Sequence, residues 1–197
     1  MNKKRQGNIL VATGLLLITA AFCLAGYNIM ENNAAGRNVQ QVMEQLQQTV
    51  PQKTEDSTEF ISNTDRELPV QEIDGLAYVG TVSMPSVGLE LPVLSQWSES
   101  GRKMAPCRYT GTPYAANMVI AAHNYKVHFQ PIRDLEAGDT VVFTDVEGNS
   151  FTYTVALTEI LERTDVQAMT DSSWALTLFT CTFDAQQHVT VRCEQQI

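Results

Sequence analysis

The sequence is best understood from Leu176-Thr177-Leu178-Phe179-Thr180-Cys181-Thr182 and, after five further residues, His188-Val189-Thr190-Val191-Arg192-Cys193. The first stretch contains the apolar, β-branched and aromatic residues that are typical of a strand. In the second, the valines share one face, while His188, Thr190 and Arg192 share the other. We therefore predict a β-hairpin in which Cys181 and Arg192 can come close. A nearby guanidinium favours the nucleophilic thiolate, although a cysteine at a strand end is also commonly a small buried hydrophobic residue.

Further strand-like stretches precede this hairpin, and glycines and prolines separate them. They cover residues 77–85, 89–94, 117–122, 140–146 and 151–157. The last of them alternates cleanly between apolar residues and threonine, which indicates one buried and one exposed face. Residues 95–116 are predicted to form a loop, and residues 159–173 a polar connection with a helical turn. Many short strands joined by Gly and Pro turns indicate an all-β barrel or sandwich.

The N-terminal segment has the features of a membrane anchor. Lys3, Lys4 and Arg5 precede an uncharged run, residues 9–29, that is long enough to cross a bilayer as a helix. Positive charge before the helix places that end in the cytoplasm. A cleaved signal peptide is the alternative, but no small-x-small cleavage site surrounds Cys23, so an uncleaved anchor is favoured.

The predicted organisation follows from that anchor. Residues 1–8 form a cytoplasmic N-terminus, 9–29 a single transmembrane helix, 30–74 an extracellular stalk or linker, and 75–197 the β-rich domain outside the cell. The stalk is rich in polar and acidic residues, as expected of a solvated spacer. Its first part carries apolar residues at helical spacing, which predicts a short amphipathic helix: Val39, Val42, Met43 and Leu46.

Composition excludes several classes of function. The formal net charge of −9 argues against nucleic-acid binding. The sequence contains no Gly-rich phosphate loop, Cys-x-x-Cys pair or His-Glu-x-x-His motif, so nucleotide binding, thioredoxin-like redox chemistry and zincin activity lack support. The four cysteines do not form a disulfide framework. A bridge between Cys107 and Cys193 is a minor alternative, and Cys193 is expected to be a core cysteine.

A cysteine enzyme needs a thiol, a group that moves protons, and donors for the developing oxyanion. His123 ends the predicted strand at residues 117–122, a rigid place from which to present an imidazole ring. At this point the chain resembles the sortase family, the surface-protein transpeptidases of Gram-positive bacteria. The run from Thr177 to Cys181 matches that family's Thr-Leu-x-Thr-Cys, Arg192 follows on the next strand, and His123 closes a strand well upstream.

The resemblance implies an eight-stranded sortase-type β-barrel with short helices, preceded by the transmembrane helix. It also implies cleavage of a Leu-Pro-x-Thr-Gly-like sorting signal between Thr and Gly. Cys181 resembles the nucleophile that forms the thioacyl intermediate, and His123 the general acid and later base. Arg192 resembles the cation that hydrogen-bonds the substrate carbonyl or oxyanion. Thr180 is either a residue that orders substrate or an ordinary strand residue.

The implied partners are the sorting signals of surface proteins or pilins, an amine acceptor such as a peptidoglycan precursor, and the membrane. No cofactor is expected. Calcium stimulation stays a minor alternative, because the acidic residues that could converge on an ion are scattered: Glu99, Glu159, Glu162 and Asp165. The chain looks closer to the class A and D types than to the types with a pilin lid or a long helix. It has no Asp-Pro-aromatic lid, and residues 159–173 are too few for the long helix.

Two other functions remain open from the sequence. One is a cysteine peptidase that passes the same acyl group to water. The other is a non-catalytic assembly module on the sortase fold.

Overall fold

The computed structural model describes residues 3–51, 66–171 and 173–196. Its strands are β1 Gln71–Ile73, β2 Leu76–Met84, β3 Leu89–Leu94, β4 Cys107–Thr110, β5 Met118–Ala121, β6 Thr140–Asp145, β7 Ser150–Glu162, β8 Leu176–Cys181 and β9 Gln187–Gln195. Its helices are α1 Lys3–Thr49, α2 Gly101–Met104 and α3 Val166–Met169, and 3-10 turns lie at Pro85–Val87 and Gln130–Asp134. The chain divides into two units, Met1–Ala34 and Ala35–Ile197.

The strands of the second unit close into a barrel. They are hydrogen-bonded in the order β1-β2-β3-β4-β5-β8-β9-β7-β6, and β2 also pairs with β6. Eight strands, β2 to β9, therefore form the closed ring, and β1 adds a short strand beside β2. Gly80 makes the closure possible, because at its φ of +152° a Cβ would overlap the backbone oxygen of Thr144 on β6. The prediction of an eight-stranded barrel with short helices is confirmed.

The barrel interior follows from strand alternation. On β8 and β9 the inward side chains include Leu176, Leu178, Val191 and Cys193, all fully buried. They belong to one apolar cluster that also draws on the other strands. The opposite face of β8 carries Thr177, Phe179 and Cys181, so the cysteine of the motif lies on the outer face of the barrel wall.

Two predicted connections contain strands. β4 lies within the predicted loop at residues 95–116, where Cys107 is fully buried and pairs with both Leu94 and Ala121. β7 continues to Glu162, into the predicted connection at residues 159–173. Its last residues complete the ladder with the start of β9, where Glu162 pairs with Gln187. Tertiary pairing therefore supplies strand structure that the polar local sequence did not indicate.

The second half of α1 belongs to the barrel unit. The four apolar residues at helical spacing are buried, as the predicted amphipathic helix requires: Val39, Val42, Met43 and Leu46. Leu46 packs in a cluster with Tyr78, Leu94 and Cys107. Residues predicted as stalk, 30–74, therefore include a helix that packs on the barrel and the strand β1. This helix packs on the barrel because it carries an apolar stripe, and burying the stripe removes apolar surface from water.

The first unit consists of the N-terminal part of α1, whose apolar side chains are exposed; Leu10 is 73% and Phe22 75% exposed. In the described part of the chain one helix, over Gly7–Thr49, is long and apolar enough to cross a membrane, judged by length and composition. This is compatible with a membrane anchor. The orientation of the anchor and the bounds 1–8, 9–29, 30–74 and 75–197 stay a prediction.

We expect Leu46→Ala to lower the free energy of unfolding by about 3 kcal/mol. The substitution leaves a cavity between α1 and the barrel at a side chain that is 1% exposed. Urea unfolding of the full chain in detergent micelles measures the change. Gln48→Ala, on the exposed face of the same helix, is the matched control and should change the stability by less than about 0.5 kcal/mol. Equal effects of the two substitutions would contradict the packing of α1 on the barrel.

Candidate active site

Cys181 is the last residue of β8, which lies between β5 and β9 in the barrel wall. Its side chain is half-buried. On β9 its direct partner is His188. The next pair outward, Thr182 and Gln187, is joined by a backbone hydrogen bond of 2.9 Å from the Thr182 amide to the Gln187 oxygen. Because bonded and non-bonded pairs alternate in antiparallel ladders, Cys181 and His188 form a non-hydrogen-bonded pair, the type in which side chains approach more closely.

His123 follows the end of β5 on the other side of Cys181. Ala121 pairs with Phe179, and the amide of Ala122 continues that ladder with a 3.2 Å bond to the Phe179 oxygen. The hydroxyl of Thr180, which is 1% exposed, donates a 2.9 Å hydrogen bond to the Ala122 oxygen. The parallel register therefore brings the backbone of His123 to the level of Cys181. Thr180 fixes the chain immediately before that histidine.

Contacts from α2 and from its own loop hold His123 in place. Its amide donates a 3.2 Å hydrogen bond to the oxygen of Arg102 in α2. Its ring stacks on Tyr125, with a centroid distance of 4.0 Å and an interplanar angle of 19°. His128 is fully buried nearby, and burial, followed by the charge of His123, lowers the pKa of His128 to about 4. His128 is therefore neutral at physiological pH.

A cavity of about 250 Å³ opens beside Cys181 and His188. Its apolar wall comprises Trp97, Tyr109, Ala121, Ala122, Val166, Met169 and Phe179. Its polar residues are Glu99, Arg102, Arg163, Thr180, Cys181 and His188. Edge-to-face ring contacts run along the wall from Trp97 to Tyr109, from Tyr109 to Phe179, and from Phe179 to His188, at 6.0, 5.5 and 5.2 Å. His123 and Arg192, both in the described part of the chain, do not line it.

Arg192 lies further along the same strands. It pairs with Thr177, four residues before Cys181, which is about 13 Å along the strand. Its side chain is buried, and Nε donates a 2.8 Å hydrogen bond to Glu159 Oε1. Nη1 donates to the Thr177 hydroxyl at 3.0 Å, and Nη2 to the oxygen of Ala168 at 2.6 Å. The structure thus does not bring Arg192 to Cys181; instead the guanidinium holds α3, which supplies Val166 and Met169 to the cavity wall.

We expect Arg192→Met to lower the free energy of unfolding by about 2 kcal/mol, because it leaves buried hydrogen-bond acceptors on Thr177 and α3 without their donor. Because α3 is then held less firmly, its contribution to the cavity wall is weakened, and we expect KM for substrate to rise more than kcat falls. Urea unfolding and steady-state kinetics measure the two effects. A variant that keeps its full stability and loses kcat would instead support the role at the substrate carbonyl that the sequence resemblance implies for Arg192.

The other thiols of the barrel are unreactive by their environment. Burial raises the pKa of Cys107 to about 11 and that of Cys193 to about 12. Both are free thiols, so the alternative of a bridge between them does not hold. Cys193 is fully buried in the core, as predicted. Among the cysteines of the barrel in the described part of the chain, Cys181 is therefore the one with a partly exposed side chain.

His188 was not predicted as a site residue from the sequence, although the alternation of the strand placed it on the same face as Arg192.

The four acidic residues considered for calcium have other partners. Glu99 pairs with Arg102, Glu159 with Arg192, and Glu162 accepts from Gln187, while Asp165 caps α3. Among residues 3–51, 66–171 and 173–196, no group of three His, Cys, Asp or Glu side chains could hold a metal ion.

Comparisons with known proteins identify related chains. A family model described as the sortase domain matches residues 82–196. Sortase A of Bacillus anthracis is 28% identical over 201 residues, which cover 92% of this chain and 89% of that protein.

Solved structures show the same fold. Sortase A of Listeria monocytogenes matches with a TM-score of 0.54 at 22% identity, covering 61% of this chain and 88% of that one. The sortase D5 transpeptidase of Clostridium perfringens matches with a TM-score of 0.59 at 16% identity, covering 84% and 99%. Sortase C1 of Streptococcus agalactiae matches with a TM-score of 0.57 at 18% identity, covering 73% and 78%. Because A, C and D types all match, the class stays a prediction.

Proposed function

The chain belongs to the sortase family of cysteine transpeptidases, and from that premise we propose that it cleaves a Leu-Pro-x-Thr-Gly-like sorting signal and joins the acyl part to an amine. Cys181 is the proposed nucleophile. The observation that carries the proposal is the position of this half-buried thiol: it lines a cavity and lies between the strand that ends just before His123 and the strand that contains His188.

The proposed reaction has two steps. In the first, the sulfur of Cys181 attacks the threonine carbonyl carbon of the signal, a C–S bond forms, and His123 gives a proton to the leaving amine as the C–N bond breaks. In the second, an incoming amine attacks the thioacyl carbon and gives its proton to His123, and the C–S bond breaks. The thiolate is regenerated and the new C–N bond joins the surface protein to its acceptor.

The cavity beside Cys181 supports a signal that begins with apolar residues. Its wall of Trp97, Tyr109, Met169 and Phe179 offers apolar and aromatic surface to a leucine and a proline side chain. Thr180 lines the same cavity, but its hydroxyl is bound to Ala122, so its part in ordering substrate acts through the backbone.

The proposed setting is the outer surface of the cell membrane. The apolar part of α1 would anchor the chain with its N-terminus in the cytoplasm and the barrel outside, following the basic residues that precede it. The proposed substrates are surface-protein or pilin precursors, and the proposed acceptor is a peptidoglycan precursor or a pilin lysine. The chemistry needs no cofactor.

The test incubates the full chain, in detergent micelles, with a panel of sorting-signal peptides and with or without an amine such as triglycine. Transfer predicts a new peptide in which the acyl part ends in the added amine, and its yield should rise with the amine concentration. A product that is only the free acid, at a rate independent of added amine, would indicate the peptidase alternative. The absence of any product across the panel would favour the non-catalytic module.

A further inference from the structure

Acyl transfer to a thiol needs hydrogen-bond donors for the carbonyl oxygen, which becomes negatively charged as sulfur attacks. The donor expected from the sequence, Arg192, has its nitrogens bound to Glu159, Thr177 and the backbone of α3, and lies four residues along β8 from Cys181. Another group must therefore meet the carbonyl oxygen at Cys181.

Three side chains with basic nitrogens line the Cys181 cavity: Arg102, Arg163 and His188. Arg102 is turned toward an exposed carboxylate, because its Nε and Nη2 donate to Glu99 Oε2 at 3.0 and 2.8 Å. Arg163 lies beyond the end of β7 and is exposed, so its long side chain is less firmly held than a residue within a strand. His188 lies within β9, directly opposite Cys181, and is 8% exposed. It is the candidate that rigid structure holds beside the sulfur.

We propose that His188 is a further catalytic residue, whose imidazole N–H donates a hydrogen bond to the scissile carbonyl oxygen and stabilises the oxyanion. This inference rests on the proposed transpeptidase function. When the C–S bond forms, the electron pair of the carbonyl moves to oxygen and is met by the N–H of His188. The pair returns to carbon when the C–N bond breaks, and His188 keeps its proton throughout.

The geometry of the pair suits this role. Directly opposed residues of an antiparallel ladder have Cβ atoms about 4.5–5.5 Å apart, so an acyl group on the Cys181 sulfur lies within reach of the imidazole. The ring of His188 makes an edge-to-face contact with Phe179, the preceding outward-facing residue on β8, and this contact restrains the orientation of the imidazole. Nδ1 is buried and has no hydrogen-bond partner in the described part of the chain. Nδ1 is therefore not committed to any described residue of the protein.

The electrostatic setting agrees with a donor that stays neutral. Burial first, and then the positive charge of Arg163, lower the pKa of His188. The other charged groups of the cavity are Arg102 and Glu99, which pair with each other. A neutral imidazole still carries one N–H, so it can donate to an oxyanion without exchanging protons. In this proposal His188 donates a hydrogen bond to the oxyanion, and His123 transfers the protons.

The test compares two reactions of Cys181 in the full chain. Acylation by a sorting-signal peptide forms an oxyanion, whereas alkylation by iodoacetamide does not. His188→Phe keeps a ring and removes the donor, so it should slow single-turnover acylation about 100- to 1000-fold and leave the alkylation rate unchanged. His188→Gln restores an N–H donor and should recover part of the acylation rate. Thr190→Val, on the same face of β9 but outside the cavity, is the matched control and should change neither rate.

Two outcomes would overturn the inference. Acylation of His188→Phe at the wild-type rate would show that no donor is needed from this residue. Equal losses in acylation and alkylation would show that His188 acts on the thiol rather than on the carbonyl oxygen. Thermal unfolding of each variant shows whether a loss of rate comes from misfolding. If His188→Phe is misfolded, the acylation rate of His188→Gln is the measurement that tests the inference. If the wild-type chain itself is never acylated, the proposed function fails, which is a different result from failure of the His188 variants alone.

Discussion

Cys181→Ala should remove cleavage and transfer together, with turnover falling by roughly a million-fold, to the background rate. The sulfur supplies the bond that holds the acyl group between the two steps, and no other thiol of the barrel can replace it, because Cys107 and Cys193 are fully buried. Product analysis of sorting-signal peptides by mass spectrometry measures the loss. The fold should be kept, since Cys181 is half-buried at a strand end and its loss should cost about 1 kcal/mol or less.

Cys23→Ala is the control for that experiment, because Cys23 is exposed on α1 outside the barrel. It should leave both the rate and the product pattern unchanged. Measurable turnover by Cys181→Ala, with an intact fold, would place the nucleophile elsewhere in the chain.

His123→Gln should slow cleavage of the peptide bond about 100- to 10,000-fold, because the leaving amine then departs without a proton donor. The diagnostic measurement replaces the Thr–Gly amide of the substrate with an ester. An alkoxide leaves more readily than an unprotonated amine, so the variant should recover much of its acylation rate on the ester. Single-turnover kinetics with both substrates measures the difference.

Lys126→Gln, an exposed substitution in the same loop as His123, is the control and should leave both rates unchanged. If His123→Gln loses the same factor on amide and ester, His123 does not act as the acid for the leaving group. Its effect would then come from the position of the loop that it shares with Tyr125, whose ring stacks on the histidine.

The sequence predicts which face of β9 carries the polar residues, but not which of them meets Cys181. Alternation puts His188, Thr190 and Arg192 on one face, and any of the three satisfies that pattern. The register decides among them, and it is set by the turn: the Thr182 amide bonds to the Gln187 oxygen, so the hairpin closes tightly and His188 faces Cys181. For Arg192 to face Cys181, the loop between β8 and β9 would have to be longer.

The sequence also does not show which surface packs against a predicted segment. The spacing of Val42 and Leu46 predicts an amphipathic helix, but only the barrel supplies the surface of Tyr78 and Leu94 that buries it. The strand β4 was not predicted from the sequence, for a different reason. It has four residues between Gly- and Pro-rich turns, too few for a periodic pattern, and it is a strand because Cys107 and Arg108 pair with β5. The longer strands were predictable because alternation sustained over many residues is typical of a strand with one buried face.

The central claim is that Cys181 carries the acyl group, and intact-protein mass spectrometry tests it most directly. The full chain is mixed with a sorting-signal peptide in the absence of amine and quenched in acid within the first turnover. We predict a mass increase equal to the part of the peptide that ends at threonine, located by digestion on the fragment that contains Cys181. An unmodified Cys181 after exposure to a broad panel of such peptides would contradict the claim.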